Sequence, residues 1–263
     1  YAAENDSRAA SRLQEACRKY LSNGLGERVT FSETVIAKMC SVVLDQKRIS
    51  KENLREVTAG ARKSFLVEAF DKILVEERVP HDFERGITQL ISKPDLDPFA
   101  LTKFHGHNAI HYCLGLEAKE RGMIFMHQAG EDAELMTWAK EAFVDEAGIG
   151  LRNEFTNFED DLFTQDGFTA YAEDALERMV NPYLRDPIER VTRDPVRKLG
   201  WDDRVMGSIR YAMNAGINPD RMISSACKGL NEIMIAESLR NQTDALNQAW
   251  HGIPPSQELD SVR

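Results

Sequence analysis

Four cysteines in 263 residues, Cys17, Cys40, Cys113 and Cys227, lie far apart without a CxxC pair. That scarcity excludes a structural zinc knuckle and a dense disulfide framework. Long apolar runs are missing too, none approaching the ~18 residues of a membrane span. The start does not read as a secretory signal, because Glu4, Asp6, Arg8, Glu15, Arg18 and Lys19 interrupt it. Positive charge is short: Lys plus Arg is 33 against 43 Asp plus Glu, a net charge of −10. Such a balance argues against a chain held by nucleic-acid phosphates. Phosphate cradles are also absent. A dinucleotide turn needs GxGxxG after a strand, whereas Gly24-Leu25-Gly26 has two glycines, runs on to Val29 and follows a helical pattern. No P-loop occurs either. What is left is 42% hydrophobic and 29% charged, too apolar for disorder. The expected setting is a reducing cytoplasm, with neither membrane nor nucleic acid as partner. The chain opens at Tyr1 rather than Met and reads as part of something longer.

Most of what is present reads as helix. Ala9, Leu13, Ala16, Cys17, Tyr20 and Leu21 recur at three- and four-residue spacing, with Asn23-Gly24 offering a left-handed stop. Over 169–180, Ala172, Ala175, Leu176, Met179 and Val180 form an apolar stripe, and Asn181-Pro182 closes it. Similar patterns predict helices over roughly 107–121, 132–147, 201–215, 219–239 and 241–250. Strand-like runs, Ser41–Leu44 and the ambiguous Phe65–Val75, confine any sheet to 1–77 and make the body from about residue 78 helical. Lys93–Pro98 reads as a loop and Gly252–Ser256 as a frayed tail.

The densest polar cluster is Lys103-Phe104-His105-Gly106-His107-Asn108-Ala109-Ile110-His111. At about 100° per residue a helix would put Asn108 and His111 about 60° apart, with Lys103 near the first turn. A lysine there suits proton abstraction, since desolvation and the positive helix end both favour a neutral amine. The plain alternative is a solvated lysine followed by buried polar caps. A rival chemistry is metal binding: His105, His107 and His111 form HxHxxxH, three imidazoles suited to an open zinc or non-haem iron site. Downstream, Arg185, Arg190, Arg193, Arg197, Lys198 and Arg204 reverse the local charge, which suits either an anionic ligand or a salt-bridged surface.

Together these segments resemble the polyol-specific long-chain dehydrogenases of the mannitol dehydrogenase family. The resemblance rests first on Lys, four residues, Asn, two residues, His: Lys103, Asn108 and His111, followed by Tyr112-Cys113-Leu114-Gly115. The second stretch, Asn181–Asp186, Ile188–Val191, Arg193, Pro195 and Arg197–Leu199, is similar to the sugar-phosphate branch. Val67–Phe70 running to Glu76 resembles the strand leading to the family's helical domain. Ala3-Glu4-Asn5 with Arg8 resembles its Glu-Asn pair after the last strands of the nucleotide domain. The resemblance implies a mainly α fold: a C-terminal helical substrate domain, like that of 6-phosphogluconate dehydrogenase, over 65–263. Before it, 1–64 would be a short α/β remnant ending an NAD-binding Rossmann domain. It further implies an NAD-dependent, metal-free, monomeric enzyme that interconverts a sugar alcohol phosphate and a ketose phosphate. Lys103 would be the general base, Asn108 and Asn5 donors to the alkoxide, and His111 the holder of a neighbouring hydroxyl. Arg193, Arg197 and Lys198 would receive the phosphate. On that pattern His105 and His107 are additions whose removal is expected to cost little. A third possibility is a non-catalytic helical module that binds a sugar phosphate or a protein.

Overall fold

A computed structural model describes residues 1–2, 8–21, 26, 29–77 and 86–250. Asn5, the Asn23-Gly24 stop, the first glycine of Gly24-Leu25-Gly26 and the tail Gly252–Ser256 lie outside the described residues. The chain divides into two compact units, Tyr1–Leu101 and Thr102–Arg263. That division falls later than the boundary after residue 64 drawn from the sequence.

The first unit holds α1 (Ala9–Tyr20), α2 (Gln46–Lys51), α3 (Asp97–Leu101) and five short strands. These are β1 (Thr34–Ile36), β2 (Cys40–Val43), β3 (Ser64–Val67), β4 (Ile73–Glu76) and β5 (Leu90–Lys93). β2 and β3 pair antiparallel, Ser41 opposite Leu66. β4 is central in a second sheet, antiparallel to β1 and parallel to β5, with Val75 opposite Thr34 and Ser92. Phe65–Val75 is therefore two strands, with Glu68–Lys72 between them. β5 corrects the expectation that sheet ends at residue 77: its four residues are selected by pairing to β4, which local sequence does not display. The expected loop Lys93–Pro98 is also shorter than drawn. Asp95 accepts from the Asp97 N–H at 2.9 Å, and Pro98 then enters α3 with its φ already set for a helix.

The second unit is helical, and no strand occurs among its described residues. Its elements are α4 (Asn108–Glu120), α5 (Ala133–Glu141), α6 (Gly148–Glu154), α7 (Gln165–Met179), α8 (Ile188–Thr192), α9 (Pro195–Lys198), α10 (Arg204–Asn214), α11 (Asp220–Glu237) and α12 (Gln242–Ala249). Two π-helical turns, Thr102–His107 and Ala142–Ala147, precede α4 and α6. Side-chain caps set several starts: Asp132 accepts from Leu135 N–H, Thr164 from Gly167 N–H and Asn241 from Asp244 N–H. α4 runs through the core and packs against α5, α8, α10 and α11. It buries Ala109, Ile110, Tyr112, Cys113, Leu114, Leu116 and Ala118, apolar on most sides as a central helix must be. α6 crosses α10 closely because Gly150 has no side chain; a Cβ there would lie 2.5 Å from the Ala212 nitrogen. Among the described residues no helix is long and apolar enough to cross a membrane.

Candidate active site

Lys103 rides on the π-turn Thr102–His107, and Asn108 and His111 follow within the first turn of α4. The two π-turns pack together through Gly106, where a Cβ would meet the Phe143 ring at 3.0 Å. Wide turns of this kind concentrate at functional sites, because the extra residue re-aims the side chains beside it.

Lys103 is largely withdrawn from water, and burial alone pushes its ammonium below the ordinary lysine value. His111 is pushed down to about 4, by burial first, with Asp186 opposing and Arg190, Lys198 and Arg204 reinforcing. Its Nε2 lies 3.6 Å from Asp186 Oδ2, beyond hydrogen-bond range, and has no hydrogen-bond partner among the described residues. Asp186 is instead gripped by both forks of Arg190, Nε approaching at 2.6 Å. His107 is driven well below the ordinary imidazole value, by burial and then by His111, Arg178 and Lys103. Its Nδ1 also lacks a partner among the described residues, and its ring meets His111 edge-on at 6.3 Å between centroids.

His105 faces elsewhere. Its Nδ1–H donates to the Arg204 carbonyl at 3.3 Å, since a carbonyl can only accept. The ring lies on Gly207, where a Cβ would come within 2.2 Å of it, and edge-on to Tyr211 and Phe104. The HxHxxxH metal reading therefore fails on geometry. The first histidine is committed to α10, and among the described residues no three His, Cys, Asp or Glu side chains are grouped to hold a metal.

The three downstream cations divide. Lys198 is buried, its Nζ donating to the Val191 carbonyl at 2.6 Å and lying 5.1 Å over the Tyr112 ring. Burial, helped by Arg204 and Arg197, pushes its amine down to about 8. Arg193 and Arg197 are exposed and sit 3.9 Å from Asp194, Arg197 also 3.5 Å from Asp203. Arg197 lines an open groove of about 770 Å³ with Asp194, Asp202 and Asp203. Sequence reasoning counted Arg204 but did not select it. Its guanidinium, half held by Asp203 at 2.8 Å and 5.2 Å over the Phe104 ring, adds to the positive field at both His111 and Lys198. The Asp186–Arg190 pair was also missed as part of the site, although its four-residue spacing within the matched string was a signal.

Residues 95–231 match the family described as the mannitol dehydrogenase C-terminal domain. The chain is 30% identical over 152 residues to a mannitol-1-phosphate 5-dehydrogenase of Lacticaseibacillus casei, covering 58% of this chain and 38% of that protein. A mannitol-1-phosphate 5-dehydrogenase of Halalkalibacterium halodurans is 23% identical over 223 residues, 85% of this chain and 55% of the relative. Thus the chain spans 38% and 55% of these two relatives' lengths. Among solved structures, D-sorbitol dehydrogenase in substrate-free form aligns with a TM-score of 0.60 at 16% identity, over 79% of this chain and 40% of its own. Pseudomonas fluorescens mannitol 2-dehydrogenase, in a ternary complex with NAD and D-mannitol, gives 0.51 at 16% identity, over 78% and 39%. At that identity the two structures establish the fold: a mainly α domain.

Proposed function

Since the chain belongs to the mannitol dehydrogenase family through the domain at 95–231, we propose that it is the substrate and catalytic part of an NAD-dependent polyol dehydrogenase. The reaction interconverts a sugar alcohol phosphate and a ketose phosphate. The observation that carries this reading is Lys103: an amine with its charge disfavoured by burial, four to eight residues from His107, Asn108 and His111 in the matched segment. NAD supplies the hydride acceptor when bound. This chain has no glycine turn for its pyrophosphate, so the cofactor's main anchor is a separate domain.

Within this chain each residue has a defined task. Lys103 Nζ, its charged form disfavoured by burial, takes the proton of the reacting hydroxyl from its unprotonated state, because only that form has a lone pair to offer. Asn108 donates its amide N–H to the developing alkoxide, stabilising charge where it forms. Asn5, the second donor that the family resemblance implies, lies outside the described residues. The neutral imidazole of His111 hydrogen-bonds a neighbouring hydroxyl. Among the described residues its Nε2 has no hydrogen-bond partner, which supports that role. Lys198, Arg193 and Arg197 receive the phosphate, Lys198 from the buried side and the two arginines from the rim.

The test is NAD reduction by the full-length protein on mannitol 1-phosphate and free polyols. Lys103→Ala should lose about 10²–10⁴-fold in kcat while binding NAD normally. Small amines should restore part of the rate by entering the vacated space. Chelators should leave the wild-type rate unchanged. Loss of activity on chelation, or a Lys103→Ala enzyme as fast as wild type, overturns the mechanism.

A further inference from the structure

We propose that His107 is a specificity-determining residue of this site, its Nδ1 hydrogen-bonding a polyol hydroxyl other than the one His111 holds. The inference rests on the reading of the site as a polyol dehydrogenase centre. It also reverses the expectation that both extra histidines are dispensable.

His105 and His107 flank Gly106, yet they solve the problem of burial differently. A buried polar atom without a partner loses its hydrogen bond to water and gains nothing back. His105 avoids that loss by donating to the Arg204 carbonyl. His107 does not: it is 4% exposed, and its Nδ1 has no hydrogen-bond partner among the described residues. A leucine or phenylalanine would fill such a position without leaving a polar atom bare. The imidazole therefore makes physical sense if its partner arrives with the ligand.

The surroundings say what that partner is. His107 lies edge-on to His111, 6.3 Å between ring centroids, and among the described residues His107 Nδ1 and His111 Nε2 each lack a hydrogen-bond partner. Lys103 and Arg178 are near enough to disfavour a charged His107, and burial does so more strongly. A neutral imidazole presents one donor or one acceptor at Nδ1, and a hydroxyl answers either. A carboxylate or phosphate oxygen answers only the donor tautomer, whereas a hydroxyl answers both. On the polyol dehydrogenase reading the ligand atom is a hydroxyl, and the two imidazoles read two hydroxyls of one polyol chain.

The experiment uses the full-length protein, its polyol substrate and a set of monodeoxy analogues of that substrate. In wild type, removal of the hydroxyl read by His107 should lower kcat/KM about tenfold. His107→Leu should lower kcat/KM on the parent polyol by a similar factor, mostly through KM, and should abolish the penalty for that one analogue. His107→Asn, whose side-chain amide reaches close to the Nδ1 position, should keep most of the discrimination. A merely structural histidine would instead lower all substrates in parallel and leave the analogue ratios unchanged, which overturns the proposal. So does a His107→Leu enzyme with wild-type constants. Nitrogen-15 spectra of the wild-type histidines give a second readout that needs no variant: His107 Nδ1 should shift on saturation with polyol, and an unmoved resonance overturns the proposal. A wild type that oxidises no polyol refutes the proposed function itself, a result distinct from an unaltered analogue pattern in an active enzyme.

Discussion

Three imidazoles and one amine around the start of α4 share a physical condition: burial has removed the water that would stabilise their charged forms. For the imidazoles the folded value lies below the unfolded one, so the unfolded chain takes up protons first as pH falls. Their contribution is therefore complete above the ordinary histidine value of 6.5, and for His111 it is lost as pH falls towards about 4. Thermal denaturation followed by circular dichroism should give a Tm that declines between about pH 7 and pH 5. His111→Gln should flatten that decline, and an equal slope in the variant would show that His111 titrates normally. Lys103, Asn108 and His111 were legible as a motif because their spacing survives any helical geometry. The divergence of His105 from His107 was not. It depends on the π-turn and on Gly207 of α10, about a hundred residues away in the chain, making a seat for one ring only.

At the scale of elements, three- and four-residue apolar spacing found α4, α5, α7, α10, α11 and α12 because each buries a stripe against a common core. The π-turns were not legible, since one extra residue leaves the local apolar pattern nearly intact and the hydrogen-bond shift has no sequence signature. Nor was β5, whose only warrant is the non-local pairing with β4. The α6–α10 crossing was likewise hidden, because Gly150 looks like a weak helix residue until the Ala212 backbone is seen against it. Glycine to alanine inside an exposed helix gains about 1 kcal/mol of propensity. Here the new Cβ would lie 2.5 Å from a backbone nitrogen that no side-chain rotation can move. Gly150→Ala should therefore destabilise by about 1–3 kcal/mol, read as a lower denaturant midpoint at constant slope. An unchanged or higher midpoint would mean that the helices part without cost.

At the scale of the molecule, the family match and the set Lys103, His107, Asn108 and His111 all lie at or beyond the end of the first compact unit. On the proposed reading the proton-transfer and hydroxyl-reading groups lie in the helical unit, while a dinucleotide's pyrophosphate needs something else. That group is held by backbone N–H groups at a glycine turn leading into a helix N-terminus, where close approach tolerates no Cβ. Gly24-Leu25-Gly26 does not have the third glycine, and the lysines and arginines near the site answer charge without supplying the turn. Nicotinamide contacts alone are too few to fix so flexible a molecule, because its ordering entropy must be offset by many contacts at once. Calorimetric titration of NAD into this 263-residue chain should accordingly give no saturable heat at micromolar concentration. The full-length protein should bind NAD, and should do so equally well with Lys103→Ala, since the base touches the substrate hydroxyl and not the pyrophosphate. Tight, saturable binding by the chain alone would place a dinucleotide site within these residues and move the domain boundary.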